Sequence, residues 1–413
     1  MLSRSCCCKS VVSRPCHFDL TSSRGFLELV SLVCGLLAAF FPNDLDWFFG
    51  SGREAEEISE DLGRWPTDFT ADIHPVGCHS HNDYWRKQPL FSAINAGCTG
   101  VEADVWLFNQ ELYVGHTTAA LTANRTLRNL YINPLVNLLD QQNPLTTFHP
   151  SLDRPKNGVF DTNPSQTLVL LIDFKSNGEA VWPHVSDQLE PLRERGYLSS
   201  FNGTSWTQGP ITVVATGNAP FKNVVASAPY RDIFFDAPLD QLADTVNQPL
   251  SPSATSTAFV DQPFQLNDRN ATPVVPRGTN ANKGRRDDSD AALLNSVVYS
   301  LANSYYASAS FTSAVGWPWR SGRLSHRQRE LIQKQIAGAH ARGLKVRYWD
   351  VPSWPRGMRN YLWRVLVREG VDYLNVDDLR AATEDDWFWP GGRDRKGHKR
   401  SWWDNWTGWG IWS

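Results

Sequence analysis

The stretch from Asp72 to Val105 reads DIHPVGCHSHNDYWRKQPLFSAINAGCTGVEADV. A short mixed segment, Asp72 to Cys78, is followed by Arg86 to Ala96, where apolar residues recur near helical spacing. Gly97 then stands where a helix ends, and Thr99 to Val105 is a second apolar strand. Strand, helix and strand within about thirty residues make a βαβ unit. Glu102 and Asp104 are two apart on that second strand, so they project from one face, in reach of one hard divalent cation. His79 and His81 precede the strand and Gly115-His116 follows it. Imidazoles on both sides of a carboxylate pair can supply acid and base around a metal-bound substrate.

Further along, Thr167 to Lys175 (TLVLLIDFK) is a continuous apolar run of the kind buried parallel strands show. It ends in Asp173 and Lys175, which fit a third acidic ligand and a cation for phosphate. Ile211 to Thr216, Ile233 to Phe235 with Asp236, and Ser304 to Phe311 read as further strands. Leu324 to Arg342 is a helix closed by Gly343, leading into the strand Lys345 to Val351. Asn360 to Glu369, closed by Gly370, leads into Val371 to Asp377. About eight strands alternating with helices describe a (β/α)₈ TIM barrel, whose sites lie at the C-terminal strand ends. Each polar constellation above falls at such an end.

Taken together, HNDY, the PL-x-x-A-I helix, VEADVWL and ELYVGH resemble the phosphatidylinositol-phospholipase-C-like phosphodiesterase superfamily of TIM barrels. That group includes glycerophosphodiester phosphodiesterases and sphingomyelinases D. Within it, the motifs are most similar to the fungal altered inheritance of mitochondria protein 6 family, over roughly residues 70–380. By position the resemblance implies an active-site set of His81 (or His79), Glu102, Asp104 and His116, with Asp173 as third metal ligand and Lys175 nearby. Trp349-Asp350 and Val376-Asp377-Asp378 resemble the final strand-end residues. His81 is favoured over His79 by its spacing to Glu102 and by HNDY. Asn82 stands where glycerophosphodiesterases carry arginine, so substrate specificity does not transfer.

The activity so implied is cleavage of a phosphodiester at phosphorus, in a glycerophosphodiester or phospholipid. Glu102, Asp104 and Asp173 would hold Mg²⁺ or another divalent cation such as Ca²⁺. His81 would take a proton from the nucleophile, His116 would protonate the leaving oxygen, and Lys175 would steady the phosphate. A competing class is a non-catalytic, membrane-tethered lipid- or phosphate-binding protein on a retained barrel. A glycoside hydrolase would use two carboxylates and leave His81, His116 and Lys175 without a task.

Outside the barrel, the chain divides into an N-terminal segment 1–60, the barrel 61–385 with a Pro-, Ser-, Thr- and Asn-rich insertion at 237–292, and a tail 386–413. Basic residues precede the apolar run Gly25 to Phe41 and acidic ones follow, the charge pattern of a signal sequence or membrane anchor. A secretory-pathway or secreted barrel is then expected, with mitochondrial association as a further option. Asn124-Arg-Thr, Asn202-Gly-Thr, Asn270-Ala-Thr and Asn405-Trp-Thr are glycosylation acceptors in such a compartment. Cys6, Cys7 and Cys8 suit palmitoylation. Cys78 and Cys98 fall near opposite ends of neighbouring strands, which argues against a disulfide. Seven tryptophans between Trp387 and Trp412, among Arg393, Arg395, Lys396, Lys399 and Arg400, suit a membrane interface. The formal charge of −3 over 413 residues offers no basic stripe for nucleic acid, and a monomer is expected.

Overall fold

The computed structural model describes residues 23–40, 70–148, 151, 155–226, 229–243, 299–318 and 322–383. Its strands are β1 (Val76–Ser80), β2 (Cys98–Phe108), β3 (Glu111–Val114), β4 (Leu168–Phe174), β5 (Ser200–Phe201), β6 (Trp206–Thr207), β7 (Ile211–Gly217), β8 (Ile233–Pro238), β9 (Ser304–Ser310), β10 (Lys345–Trp349) and β11 (Tyr373–Val376). β1, β2, β4, β7, β8, β9, β10 and β11 pair in parallel in that order, and β11 returns to pair with β1. The sheet is therefore a closed (β/α)₈ barrel, as the alternation of elements predicts. β3 lies outside the ring as an antiparallel partner of β2, and β5 and β6 form a separate two-stranded ribbon.

β4 shows why the strands read as unbroken apolar runs. Leu168, Leu170, Ile172 and Phe174 face the layer shared with the helices, while Val169 and Leu171 join Val214, Phe234, Tyr306 and Tyr373 in a second cluster inside the barrel. Both faces are dry, so period-two alternation disappears. Continuing the inward phase upward gives Glu102, Asp104, Asp173, Asp236, Ser308, Arg347 and Asn375. The interior is thus an apolar floor beneath a polar layer, and that layer is the site.

The helix expected over Arg86 to Ala96 is shorter, Phe91–Ala96, preceded by a 3₁₀ turn at Asp83–Trp85. Pro89 lacks an amide hydrogen and restricts Gln88, which prevents helix there. The buried Asp83 carboxylate holds the turn instead, accepting from the Leu90 amide (2.6 Å), Ser80 Oγ (2.7 Å) and the Tyr131 hydroxyl (3.1 Å). Gly97 ends the helix in the left-handed region (φ 90°), its amide returning to the Ala93 and Ile94 carbonyls. At the helix His326–His340 a capping box forms between Ser325 and Gln328.

Cys78 and Cys98 are joined in a disulfide, with Cα atoms 4.8 Å apart, contrary to expectation. Cys98 opens β2, and the β1–β2 register shifts between Val76 and His79, which brings Cys78 to the same level. The bond closes a span of 20 residues. On loop-closure entropy, Cys98→Ser should lower unfolding free energy by about 3 kcal/mol, a loss that urea titration of oxidised wild type against variant will show.

The apolar N-terminal run is the helix Ser23–Phe40. Among the described residues no helix is long and apolar enough to cross a membrane, so the spanning reading of 25–41 is not upheld. The expected insertion also starts later, since β8 runs to Pro238 and a 3₁₀ turn occupies Leu239–Gln241. The rest of it, the Cys6–Cys8 cluster and the Trp-rich tail lie outside the described residues.

Candidate active site

Strand register brings the carboxylates together. β2 and β4 pair so that Asp104 lies beside Asp173, and Glu102 sits one inward step below Asp104. One oxygen from each of the three lies within 4.8 Å of the others. His116 reaches the cluster through the β2–β3 hairpin. Asn109 and Gln110 both take positive φ (48° and 67°), as a two-residue type I′ turn requires, and this sets Val105 opposite Val114. The Gly115 amide then donates to the Asp104 carbonyl (3.1 Å), and His116 Nδ1 lies 3.4 Å from Asp104 Oδ2. His116 is half-exposed, with its ring against Trp85 at 5.2 Å between centroids.

His81 follows β1, held by its amide on the Val376 carbonyl (3.0 Å). Its Nδ1 lies 2.8 Å from Asp377 Oδ1. Burial works against its charged form, but the Asp377 hydrogen bond and the charges of Glu102 and Asp377 leave its pKa raised. Lys175 Nζ bridges Asp173 Oδ2 (2.6 Å) and Asp104 Oδ2 (3.1 Å). Burial, opposed by Lys175 and reinforced by Glu102 and Asp173, raises the Asp104 pKa to about 6. His81, Glu102, Asp104, His116, Asp173 and Lys175 thus gather at one end of the barrel.

These residues fit a divalent cation. Asp104 Oδ1 is buried without a hydrogen-bond partner, which a native carboxylate seldom tolerates. Among the described residues of the surrounding layer, Glu102, Asp104, Asp173 and Asp236 pair with one lysine, Lys175, and one arginine, Arg347, beside the imidazoles of His79 and His116. The carboxylates outnumber the lysine and arginine, and a divalent ion would offset the excess negative charge.

Several members escape a reading of motifs. Arg347 on β10 is 3% exposed; its guanidinium donates to Ser308 Oγ (3.2 Å) and Asn375 Oδ1 (2.9 Å) and pairs with Asp236 Oδ2 (3.5 Å). Its signal in the sequence is an arginine set between the apolar residues Val346 and Tyr348 of a strand. Tyr84 is buried, and its hydroxyl lies 2.7 Å from Asp104 Oδ2 and beside Asn82 Oδ1. The aspartates after β10 and β11 divide by task. Asp350 accepts from Ser310 Oγ (2.9 Å), Asp377 orients His81, and Asp378 pairs with Arg359 (2.9 Å) and caps the next helix. His79 is buried within the barrel, and burial, with Arg347 and His81 nearby, holds its pKa well below the usual histidine value. Trp349 stands at the rim, 43% exposed.

Residues 67–236 match the AIM6-like phosphodiesterase domain. The chain is 39% identical over 326 residues to the altered inheritance of mitochondria protein 6 homolog of Arthroderma benhamiae, covering 77% of this chain and 86% of that one. It is 32% identical over 312 residues to altered inheritance of mitochondria protein 6 of Eremothecium gossypii, covering 74% and 68%. The Saccharomyces cerevisiae protein of that name is 30% identical over 321 residues, covering 76% and 71%. No solved structure matches. The family-model match and identity spread over most of both chains lead to one conclusion: the chain belongs to the altered inheritance of mitochondria protein 6 family, with an AIM6-like phosphodiesterase domain.

Proposed function

We propose that the chain is a metal-dependent phosphoric diester hydrolase acting on a glycerophosphodiester or phospholipid. The observation that carries this reading is the unpartnered Asp104 Oδ1 within the Glu102–Asp104–Asp173 cluster, flanked by His81 and His116 on separate elements. Glu102, Asp104 and Asp173 would hold Mg²⁺, or Ca²⁺. Such an ion, when bound, supplies positive charge that polarises the phosphoryl oxygen. Lys175 adds a cation beside it that can contact a second phosphate oxygen.

His81 is placed to act as base. With Nδ1–H donated to Asp377, its Nε2 lone pair is free to accept the proton of water or of a neighbouring substrate hydroxyl as that oxygen attacks phosphorus. His116 then delivers a proton to the oxygen that leaves. Asp377 tunes the base, because its hydrogen bond and charge favour the protonated ring. Asp377→Asn removes both, lowers the His81 pKa, and moves the acidic limb of the pH–rate profile to lower pH. An acidic limb that stays in place would assign that limb to another group.

A membrane surface is the proposed partner. The helix Ser23–Phe40 exposes Phe26, Leu27 and Leu32 (61%, 63% and 59%), apolar surface that an interface would cover. The Cys78–Cys98 disulfide favours an oxidising compartment. The decisive assay uses the purified chain against glycerophosphodiesters, lysophospholipids, sphingomyelin and phosphatidylinositol, each with Mg²⁺ or EDTA. Turnover that needs metal and fails in His116→Ala supports the reading. A chain that binds metal and cleaves no diester is instead the non-catalytic binding protein.

A further inference from the structure

Between β1 and β9 the barrel interior holds a pair that the proposed chemistry leaves unused. His79 is fully buried, and its Nδ1 lies 3.3 Å from the Tyr306 hydroxyl, itself fully buried. The two rings meet edge to face at 5.7 Å between centroids. Burial raises the Tyr306 pKa, so the phenol keeps its proton and is able to donate it to Nδ1. A neutral imidazole that accepts at Nδ1 carries its own proton on Nε2. That Nε2 is buried with no hydrogen-bond partner, and Glu102 Oε2 is 3.9 Å away, too far to accept. A ring nitrogen buried in this way is retained where something else completes it.

Gly100 makes the arrangement possible. A Cβ at this position of β2 would lie 2.4 Å from His79 Nδ1 and 3.0 Å from the Tyr306 hydroxyl oxygen. Glycine is required here for space, since no other residue leaves the ring its place.

We infer that Tyr306 is a positioning residue that fixes His79 as a hydrogen-bond donor, with its Nε2–H directed at an oxygen bound beside Glu102. This assigns the upstream histidine of HSHND a role distinct from that of His81: one donates a fixed hydrogen bond while the other exchanges protons. The identity of the oxygen rests on the phosphodiesterase reading. Either a water brought with the cation or a phosphoryl oxygen offers the same acceptor chemistry.

The test is nitrogen-15 spectroscopy of the histidine-labelled full chain. Wild type is expected to show His79 neutral, with Nε2 protonated and Nδ1 accepting. In Tyr306→Phe, which keeps the ring and loses the hydroxyl, a population protonated on Nδ1 is expected. Titration with Mg²⁺ alone, then with inorganic phosphate added, should move the His79 Nε2–H resonance. A shift with Mg²⁺ alone assigns the oxygen to water, and a shift only on adding phosphate assigns it to the phosphoryl group. Wild-type His79 protonated on Nδ1, or an Nε2–H unmoved by either addition, overturns the inference. If substrate turns over, Tyr306→Phe should lower kcat about 3- to 10-fold at unchanged KM, the scale of one neutral hydrogen bond. A fall in thermal stability with the tautomer unchanged would mark Tyr306 as packing alone and also overturn it. Spectra that behave as expected in a chain that cleaves no diester would leave the dyad standing and remove the phosphodiesterase reading.

Discussion

Asp104→Asn should abolish divalent-metal binding and lower diester turnover by roughly 10²–10³-fold, the scale on which a preorganised electrostatic contribution is lost. The same change should stabilise the metal-free chain. Asp104 is fully buried beside Glu102 and Asp173, and its pKa is raised to about 6 by burial and those two charges, against Lys175. An acid whose folded pKa lies above its ordinary 3.8 holds its proton more tightly when folded. Its contribution to stability is therefore greatest at low pH and is lost as pH rises through about 6. The advantage of the variant should grow between pH 4 and pH 7 and reverse when Mg²⁺ stabilises only the wild type. Melting curves of both proteins with EDTA and with Mg²⁺, beside calorimetric metal titration, measure each part. An asparagine variant that binds Mg²⁺ like wild type would refute the assignment.

Arg347→Met should be the most destabilising single change in the site, by about 3–5 kcal/mol. Arg347 is 3% exposed and has its guanidinium 3.5 Å from Asp236 Oδ2 and 3.9 Å from Glu102 Oε2. Without it Asp236 keeps only the Thr216 and Ser308 hydroxyls as partners, and burial already pushes its pKa up. The loss arises from an uncompensated buried carboxylate, so adding Asp236→Asn should restore most of it. Urea unfolding of the two single variants and the double variant gives the coupling directly. A single variant that loses less than about 1 kcal/mol would show that the pair is not a unit.

The sequence reading succeeds where local chemistry is decisive. TLVLLIDFK is a strand because an apolar run that short, ending in charge, suits a segment buried on both faces. Gly97 and Gly370 mark helix ends because both need left-handed backbone, φ 90° and 100°. The i, i+2 spacing of Glu102 and Asp104 is enough to place them on one face. Arg86 to Ala96 fails as one helix because Pro89 outweighs the apolar spacing around it. Cys78 and Cys98 are misjudged because a register shift between strands has no signature within either strand.

The roles of Arg347, Tyr84 and Asp236 are not legible in the sequence for a different reason. Each acquires its role from partners far away in the chain: Arg347 from Asp236 and Asn375, Tyr84 from Asp104, and Asp236 from Thr216 and Arg347. What the amino-acid sequence alone determined is the alternation of strands and helices, hence the barrel, and the strand ends that carry carboxylate and imidazole. Periodicity and backbone preference act over a few residues and are written there. Only the tertiary structure decided which buried charges oppose one another, which histidine meets Asp377 and which meets Tyr306, and that two cysteines bond. Those outcomes depend on the register around the closed ring, which the strands settle together and no single segment encodes.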